Sequence, residues 1–540
     1  MLDSYWETVL AHPILPAITA ALCLSLLTWR LWTFIIVPSL RPDEPKLLPY
    51  WVPFLGHTWA FFRNPEKLIN NGFHYFGSSQ PFALTVAGKR TVILRNVQDV
   101  ASVWRNTQAL TIDGFVVEAL GAFGITKPTL KKIFTSPRDL IKDEKSRSRS
   151  LLIRENPHNK GYMDWERDFF TAQLLEPDRL RNLLDKYLGH LREVLSWDNL
   201  SSSYVVPPSP FGPPQDKSKT VSLQVFCRYT VSYCSTTTFF GPKLQQVAPQ
   251  FLQDYQDFER LSWKVFYRLP AFLARSSHAA KEKAIDGLDK YLSLPEEERL
   301  PEMETIFQAI NNELTHIGVG RRDVAAFIVV IIWAINNNAH KVAFWIFAHM
   351  LYDPAYFNAV RSEIDAAFSG PDAEPDMNVL LTTCPHLDAI WYETMRVYNA
   401  TSAIRHARTE CIIGDKRIHA GDQIVAPFRQ FHLNRDIFGP DAGIFRPGRF
   451  LENKGLHRAK GYSPFGGGYT YCPGRLFAQR EIYLFVAETL WKFDLELVPR
   501  PGGPRMPQVD ERIPSPAAMG PDEDVLVRIS PRAHTSRHCK

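Results

Sequence analysis

The run FGGGYTYCPGR, Phe465 to Arg475, places one cysteine in a glycine-rich turn with a helix expected directly after it. Gly466, Gly467 and Gly468 carry no side chains, so a flat ligand can lie against the backbone there. Pro473 suits the first position of a helix, where its missing N–H costs nothing. Cys472 then sits at the positive end of that helix, which favours thiolate over thiol. A buried thiolate beneath a planar group is how a haem iron is held from the protein side. A glycine-rich loop can also cradle phosphate, but Lys and Ser or Thr should then follow, and here the run ends Cys-Pro-Gly-Arg. A lone cysteine is commonly just a small buried hydrophobe. That reading does not explain three glycines, a proline and an arginine in the same turn.

Three further constellations carry polar chemistry. In ETMR, Glu393 and Arg396 are spaced to share a helix face. Arg449 of FRPGRF (445–450) can join that pair as a third charge. In SAIRHAR, Arg405 can grip a carboxylate by two parallel hydrogen bonds, with His406 and Arg408 beside it. In WAINNNAH (333–340), Asn336, Asn337 and Asn338 interrupt an apolar run. Asparagine is a poor helix former and costly to bury unpaired, so the triplet predicts a local distortion or a polar groove.

The order E-x-x-R, F-x-P-x-R-F and then the cysteine turn resembles the cytochrome P450 superfamily. SPFGGGYTYCPGRLFA (463–478) is most similar to the branch holding the sterol 7-alpha- and 12-alpha-hydroxylases and prostacyclin synthase. The resemblance implies haem b (iron protoporphyrin IX), with Cys472 as axial thiolate. It places Phe465 beside the sulfur and Gly468 where the backbone passes close to the porphyrin. Glu393, Arg396 and Arg449 become a structural network that holds the cysteine turn. Arg405 becomes a propionate ligand. Thr470 stands where most members carry Arg or His, which throws more of the propionate binding onto Arg405. In most members the long helix reads Ala/Gly-Gly-x-Asp/Glu-Thr; here the aligned run begins at Ala334, and Asn337 and Asn338 replace the acid and the threonine. Ala334, Ala517, Ala518 and Met519 are implied pocket residues, and 110–125 an implied cover. All are largely apolar, which favours a bulky hydrophobic substrate.

The elements that must position these residues are mostly helical, with small sheets. A long helix is expected over Arg321 to Tyr352 and others over 384–397 and 476–490. Helices are also expected over 165–196 and over 247–290, the second broken at Pro270. Residues 81–95 read as a hairpin, and 401–424 and the DVLVRI segment as strands. Prolines crowd 201–219, which reads as a loop insertion.

At 540 residues with a net charge of +5, the chain is a folded protein with no basic block to bind nucleic acid. Its seven cysteines show no CxxC and no zinc spacing, which suits a reducing compartment. Residues 13–37 are nearly all apolar and long enough to cross a bilayer, with Arg30 able to snorkel from the far end. Asp3 and Glu7 precede this span, and Arg41 and Lys46 follow it. The positive-inside rule then puts residues 1–12 in the lumen and the rest in the cytosol. A cleaved signal peptide is the alternative. A proline-rich hinge (38–57) and a haem-thiolate catalytic domain (58–540) follow.

The function implied is a single-pass endoplasmic-reticulum monooxygenase of a sterol, terpenoid or other secondary metabolite. Its electrons would come from NADPH through a cytochrome P450 reductase, with cytochrome b5 as a further partner. Two alternatives stay open: a haem-thiolate isomerase or dehydratase acting on a peroxide without reductase, and a haem-binding sensor without turnover.

Overall fold

A computed structural model describes residues 14–533 except 78, 207–217, 300–302, 500–501 and 504. The expected luminal segment 1–12 and most of the proline-rich insertion lie outside the described residues.

The chain divides into two compact units. The first holds residues up to Gly114 with Ala403–Pro427 and Arg512–Pro514. It begins with an exposed apolar helix, Ile14–Leu31, which widens into a π-helical turn at Trp32–Ile36 and closes as Val37–Leu40. Pro38 has no N–H to offer and its ring crowds the preceding turn, which accounts for the widening. The stretch Pro16–Leu40 is long and apolar enough to cross a membrane. Arg30 does not extend away from it. Its Nη1 donates to the Tyr50 carbonyl and its guanidinium lies 3.8 Å from the centre of the Trp51 ring.

The sheet of this unit runs in the order Lys46–Leu47, Phe82–Val86, Lys89–Ile93, Gln423–Pro427, Ser402–Ala407, Leu110–Thr111. Phe82–Val86 and Lys89–Ile93 form the expected hairpin, turning through Ala87 and Gly88 with positive φ at both. Helix Pro65–Phe76 is capped by Asn64, whose side chain accepts from the Lys67 N–H. Its Gly72 faces Phe82 so closely that a Cβ would lie 2.3 Å from the ring. Phe73 and Phe76 also pack on that ring, leaving it nowhere to move. Gly72→Ala is therefore expected to lower stability by about 1–3 kcal/mol, despite alanine's better helix propensity. A thermal melt matching wild type would contradict this.

The second unit holds Phe115–Ser402, Phe428–Glu511 and the chain from Ser515. Its axis is the unbroken helix Arg321–Tyr352, packed by Leu223–Phe240, Arg275–Leu292, Pro385–Val397 and Arg475–Lys492. A helix was expected across 165–196, but two are found, Tyr162–Leu175 and Pro177–Val194. Pro177 cannot continue the first, and the Glu176 side chain caps the second by accepting from the Asp178 and Arg179 N–H groups. The expected break at Pro270 falls between Phe251–Phe266 and Arg275–Leu292. The insertion expected over 201–219 is not all loop, because Val205–Val206 within it pairs with Lys219–Ser222 at its far end. They continue a sheet with Leu526–Pro531 and Phe493–Leu497.

Candidate functional site

The cysteine turn is built by glycines that no other residue replaces cheaply. Gly466 and Gly468 have φ of 75° and 61°, and this left-handed region favours glycine. Between them Gly467 is fully extended, and Gly468–Thr470 forms one 3-10 turn. The Cys472 N–H donates to the Phe465 carbonyl at 3.2 Å, closing the loop. The following helix begins at Arg475, with Gly474 as its N-cap. Pro473 therefore lies before the cap, not at the first helical position, because Gly474 supplies the turn into the helix.

The sulfur's environment sets burial against the helix end. Burial pushes the Cys472 thiol up. The N–H groups of Gly474 and Arg475, and the Arg475 charge, pull the other way without winning.

Thr470 spends its hydroxyl inside the loop, donating to the Gly467 carbonyl at 3.2 Å. Arg475 lies 4.3 Å from the centre of the Tyr471 ring, and Arg167 lies 5.0 Å from that of Tyr469. Phe465 stacks near Trp391 with ring centres 6.4 Å apart.

Glu393 and Arg396 are fully buried and pair in bidentate fashion, at 2.7 and 2.8 Å. Arg449 Nε donates to the same carboxylate at 3.1 Å, and so does the Arg446 N–H at 2.7 Å. Arg396 also donates to the carbonyls of His432, Ala442 and Ile444. His432 extends the network toward the cysteine turn, since its Nε2 accepts from the Ser463 N–H at 3.0 Å. Asn399 Nδ2 donates to the Pro464 carbonyl at 2.9 Å. Neither pin was foreseen. Nothing in the local sequence singles out His432 or Asn399, whose partners lie far along the chain.

His432 must stay neutral to accept that bond. Burial, then the Arg396 charge, push it from 6.5 down to about 3. The unfolded chain takes up this proton first. The stabilisation is thus full above about pH 6.5 and is lost as pH falls toward about 3, at up to about 1.4 kcal/mol per unit. Denaturant unfolding at successive pH values is expected to show this slope, and His432→Asn to lack its share. An identical slope in the variant would contradict the assignment.

The asparagine triplet does not distort the long helix, which stays α-helical throughout. Two of the three side-chain carbonyls are met, one from across the fold and one from a turn along the helix. Asn338 Oδ1 accepts from the Ala518 N–H at 3.1 Å, and Asn337 Oδ1 from Lys341 Nζ at 2.8 Å. The 517–519 turn is clamped further. Ala517 O accepts from the Ala400 N–H, the Met519 N–H donates to Tyr398 O, and Met519 O accepts from Trp345 Nε1, each at 2.8 Å. Asn338, Ala517, Ala518 and Met519 are thus brought together. Ala334 is accessible on a helix otherwise largely buried, in a stripe with Ile331, Ile335 and Asn338. Arg405 is buried in the first unit's sheet, where its Nη1 donates to the Ile404 carbonyl at 2.8 Å. The 110–125 segment forms a short strand and helix Asp113–Ala122.

The donor set fits haem. Among the described residues no group of three or more His, Cys, Asp or Glu could hold a bare metal ion. One sulfur in a glycine-framed turn suits a metal whose other ligands come from a macrocycle.

The profile of the family described as Cytochrome P450 matches residues 214–513. Over 91% of its length the chain is 26% identical to the Penicillium oxalicum protein named cytochrome P450 monooxygenase poxD, covering 94% of it. It is 25% identical to rabbit (Oryctolagus cuniculus) cytochrome P450 7A1, over 88% of this chain and 91% of that one. It is 24% identical to the rabbit 7-alpha-hydroxycholest-4-en-3-one 12-alpha-hydroxylase, over 90% and 93%.

Proposed function

This chain belongs to the cytochrome P450 family, and on that premise we propose that it is a membrane-anchored monooxygenase of a lipophilic small molecule. The observation that carries this is the turn 465–475, which frames one sulfur with glycine backbone and is pinned at its entry by His432 and Asn399. Cys472 would hold the haem, Gly466 and Gly468 would admit its face, and Arg405 would meet a propionate. Haem bound through a thiolate supplies oxygen activation, the sulfur's electron donation favouring O–O cleavage.

The protein's own residues supply positioning. Glu393, Arg396 and Arg449 fix the chain that leads into the turn. Asn338, held by Ala518, presents its amide beside the apolar turn 517–519, where it can orient a water but cannot donate a proton as an acid. Ala334, Ala517, Ala518 and Met519 would pack an apolar scaffold. A sterol or terpenoid is the class favoured, because one rabbit relative is named as the hydroxylase of a sterol ketone. The apolar helix Pro16–Leu40 would anchor the chain in the endoplasmic reticulum with the remainder cytosolic. A cytochrome P450 reductase, with or without cytochrome b5, would deliver electrons from NADPH.

The test combines full-length protein, reductase, NADPH and oxygen with a library of sterols and terpenoids. A product carrying one oxygen atom from O2 is expected. Turnover of a hydroperoxide without NADPH would instead support the isomerase reading, which the absence of an acid and a threonine at 337 and 338 keeps in view. Ligand-induced spectral shifts with no turnover would support a sensor.

A further inference from the structure

Away from the cysteine turn, three helices of the second unit converge on one buried carboxylate. Glu259, on Phe251–Phe266, is buried against the long helix. Its Oε1 lies 3.3 Å from His340 Nε2 and 3.2 Å from Lys341 Nζ. Its Oε2 lies 3.6 Å from Arg228 Nε on Leu223–Phe240. Lys341 reaches the other way as well, donating to Asn337 Oδ1 at 2.8 Å. Next to that asparagine, Asn336 is 1% exposed, and its Oδ1 has no hydrogen-bond partner among the described residues.

The charges do not cancel. Burial alone would raise the Glu259 carboxyl, but Lys341, His340 and Arg228 together hold it well below the ordinary carboxylate range. Burial pushes His340 down to about 4, so it is neutral near pH 7. Two cations therefore face one anion, and burial lowers the Lys341 ammonium against the pull of Glu259. The ion pairs of Arg275–Leu292 with the long helix, Arg321–Asp289 and Arg322–Asp286, lie in its first turn, away from Lys341. A buried ion cluster with a surplus charge is poor stabilising design. The surplus falls on the side chain that touches the asparagine run.

We propose that Lys341, seated on Glu259, supplies protons to the asparagine run by passing them to water held at Asn336 and Asn337. This rests on the monooxygenase reading. Inserting one atom of O2 and releasing the other as water consumes two electrons and two protons. The electrons arrive through a redox partner, but the protons must cross the core. A carboxamide does not ionise near pH 7, so the run needs an ionisable neighbour. Lys341 is bonded to the run, and its side chain is only partly buried, at 17% exposure. In the step, an Nζ–H bond of the ammonium breaks as an O–H bond forms on the water, and that water gives one of its own protons to the oxygen atom released as water, so it stays neutral. The amine left behind is reprotonated from bulk water, and anionic Glu259 draws the restored cation back. Lys341 is thus a proton donor to that water, and Asn337 holds its ammonium beside the run.

The test uses full-length haem-loaded protein and the variants Lys341→Arg, Lys341→Met and Glu259→Gln. Arginine keeps the charge but does not release a proton at working pH. Lys341→Arg is expected to melt with wild type, yet to lose NADPH consumption by about a hundredfold, as Lys341→Met does. Glu259→Gln should fall between them and wild type. A second readout needs no turnover. The midpoint potential of the haem iron, followed spectroscopically over roughly pH 6 to 9, is expected to vary with pH in wild type. In both Lys341 variants that dependence should shrink by about half or more. Wild-type NADPH consumption in Lys341→Arg, or an unchanged pH dependence of its potential, overturns the relay and leaves a structural clamp. A wild type that consumes no NADPH sinks the monooxygenase reading instead, and the potential alone then judges the relay.

Discussion

Cys472→Ser is expected to come off purification with bound haem reduced more than about tenfold, and with any residue lacking the wild-type carbon-monoxide band. The change removes one sulfur and adds nothing larger, so folding is not the reason. A serine hydroxyl stays protonated at neutral pH, even at a helix N-terminus, and a neutral oxygen is a poor ligand for haem iron. Burial already pushes the Cys472 thiol up, and the Gly474 and Arg475 N–H groups only partly offset it. Cys472 would hold the iron as a thiolate, which bound iron would favour, and a hydroxyl that stays protonated would not take its place. Cys227 and Cys234 are buried on Leu223–Phe240 and Cys411 is half-buried on a strand. Replacing any of these three by serine should leave the pigment in place. Pigment and carbon-monoxide spectrum unchanged in Cys472→Ser would remove the axial assignment.

The cysteine turn was legible because its chemistry is local. Glycines at positive φ, the sulfur and the Gly474 cap all lie within one stretch of chain. The long helix was legible to its ends because apolar residues fill most of its length and Asp323 sits in its first turn. Two local signals misled. Pro473 reads as a helix start, yet Gly474 takes the cap. The asparagine triplet reads as a distortion or a polar groove; the helix stays regular, and Ala518 and Lys341 pair with two of the three amides. What the sequence hides are partners brought together only by folding. Glu259 reaches Lys341 across 82 positions of chain, and Ser463 reaches His432 across 31. Neither pairing has a spacing to recognise. Pairing energies of this kind depend on burial, and burial is a property of the assembled core.

Arg396→Lys should unfold the second unit nearly as readily as Arg396→Met, although it keeps the charge. Every N–H of Arg396 has an assigned acceptor. Nε and one Nη2 proton go to Glu393, both Nη1 protons to the His432 and Ala442 carbonyls, and the second Nη2 proton to Ile444. Lysine offers three donors from a point and cannot span these positions. At 0% exposure, no water is at hand to replace the lost bonds. Each carbonyl left without a partner costs about 1–3 kcal/mol. Arg396→Met goes further and leaves Glu393 with Arg449 alone among its arginine side chains, a loss of about 3–5 kcal/mol. The decisive comparison is the double change Glu393→Gln with Arg396→Met. If the two residues act as one unit, the double variant should be less destabilised than the sum of the singles, because no unpaired carboxylate remains. Urea unfolding of full-length protein, followed by tryptophan fluorescence, reads all four variants. Strict additivity, or a wild-type midpoint for Arg396→Lys, would mean that His432 and the cysteine turn are held by some other part of the core.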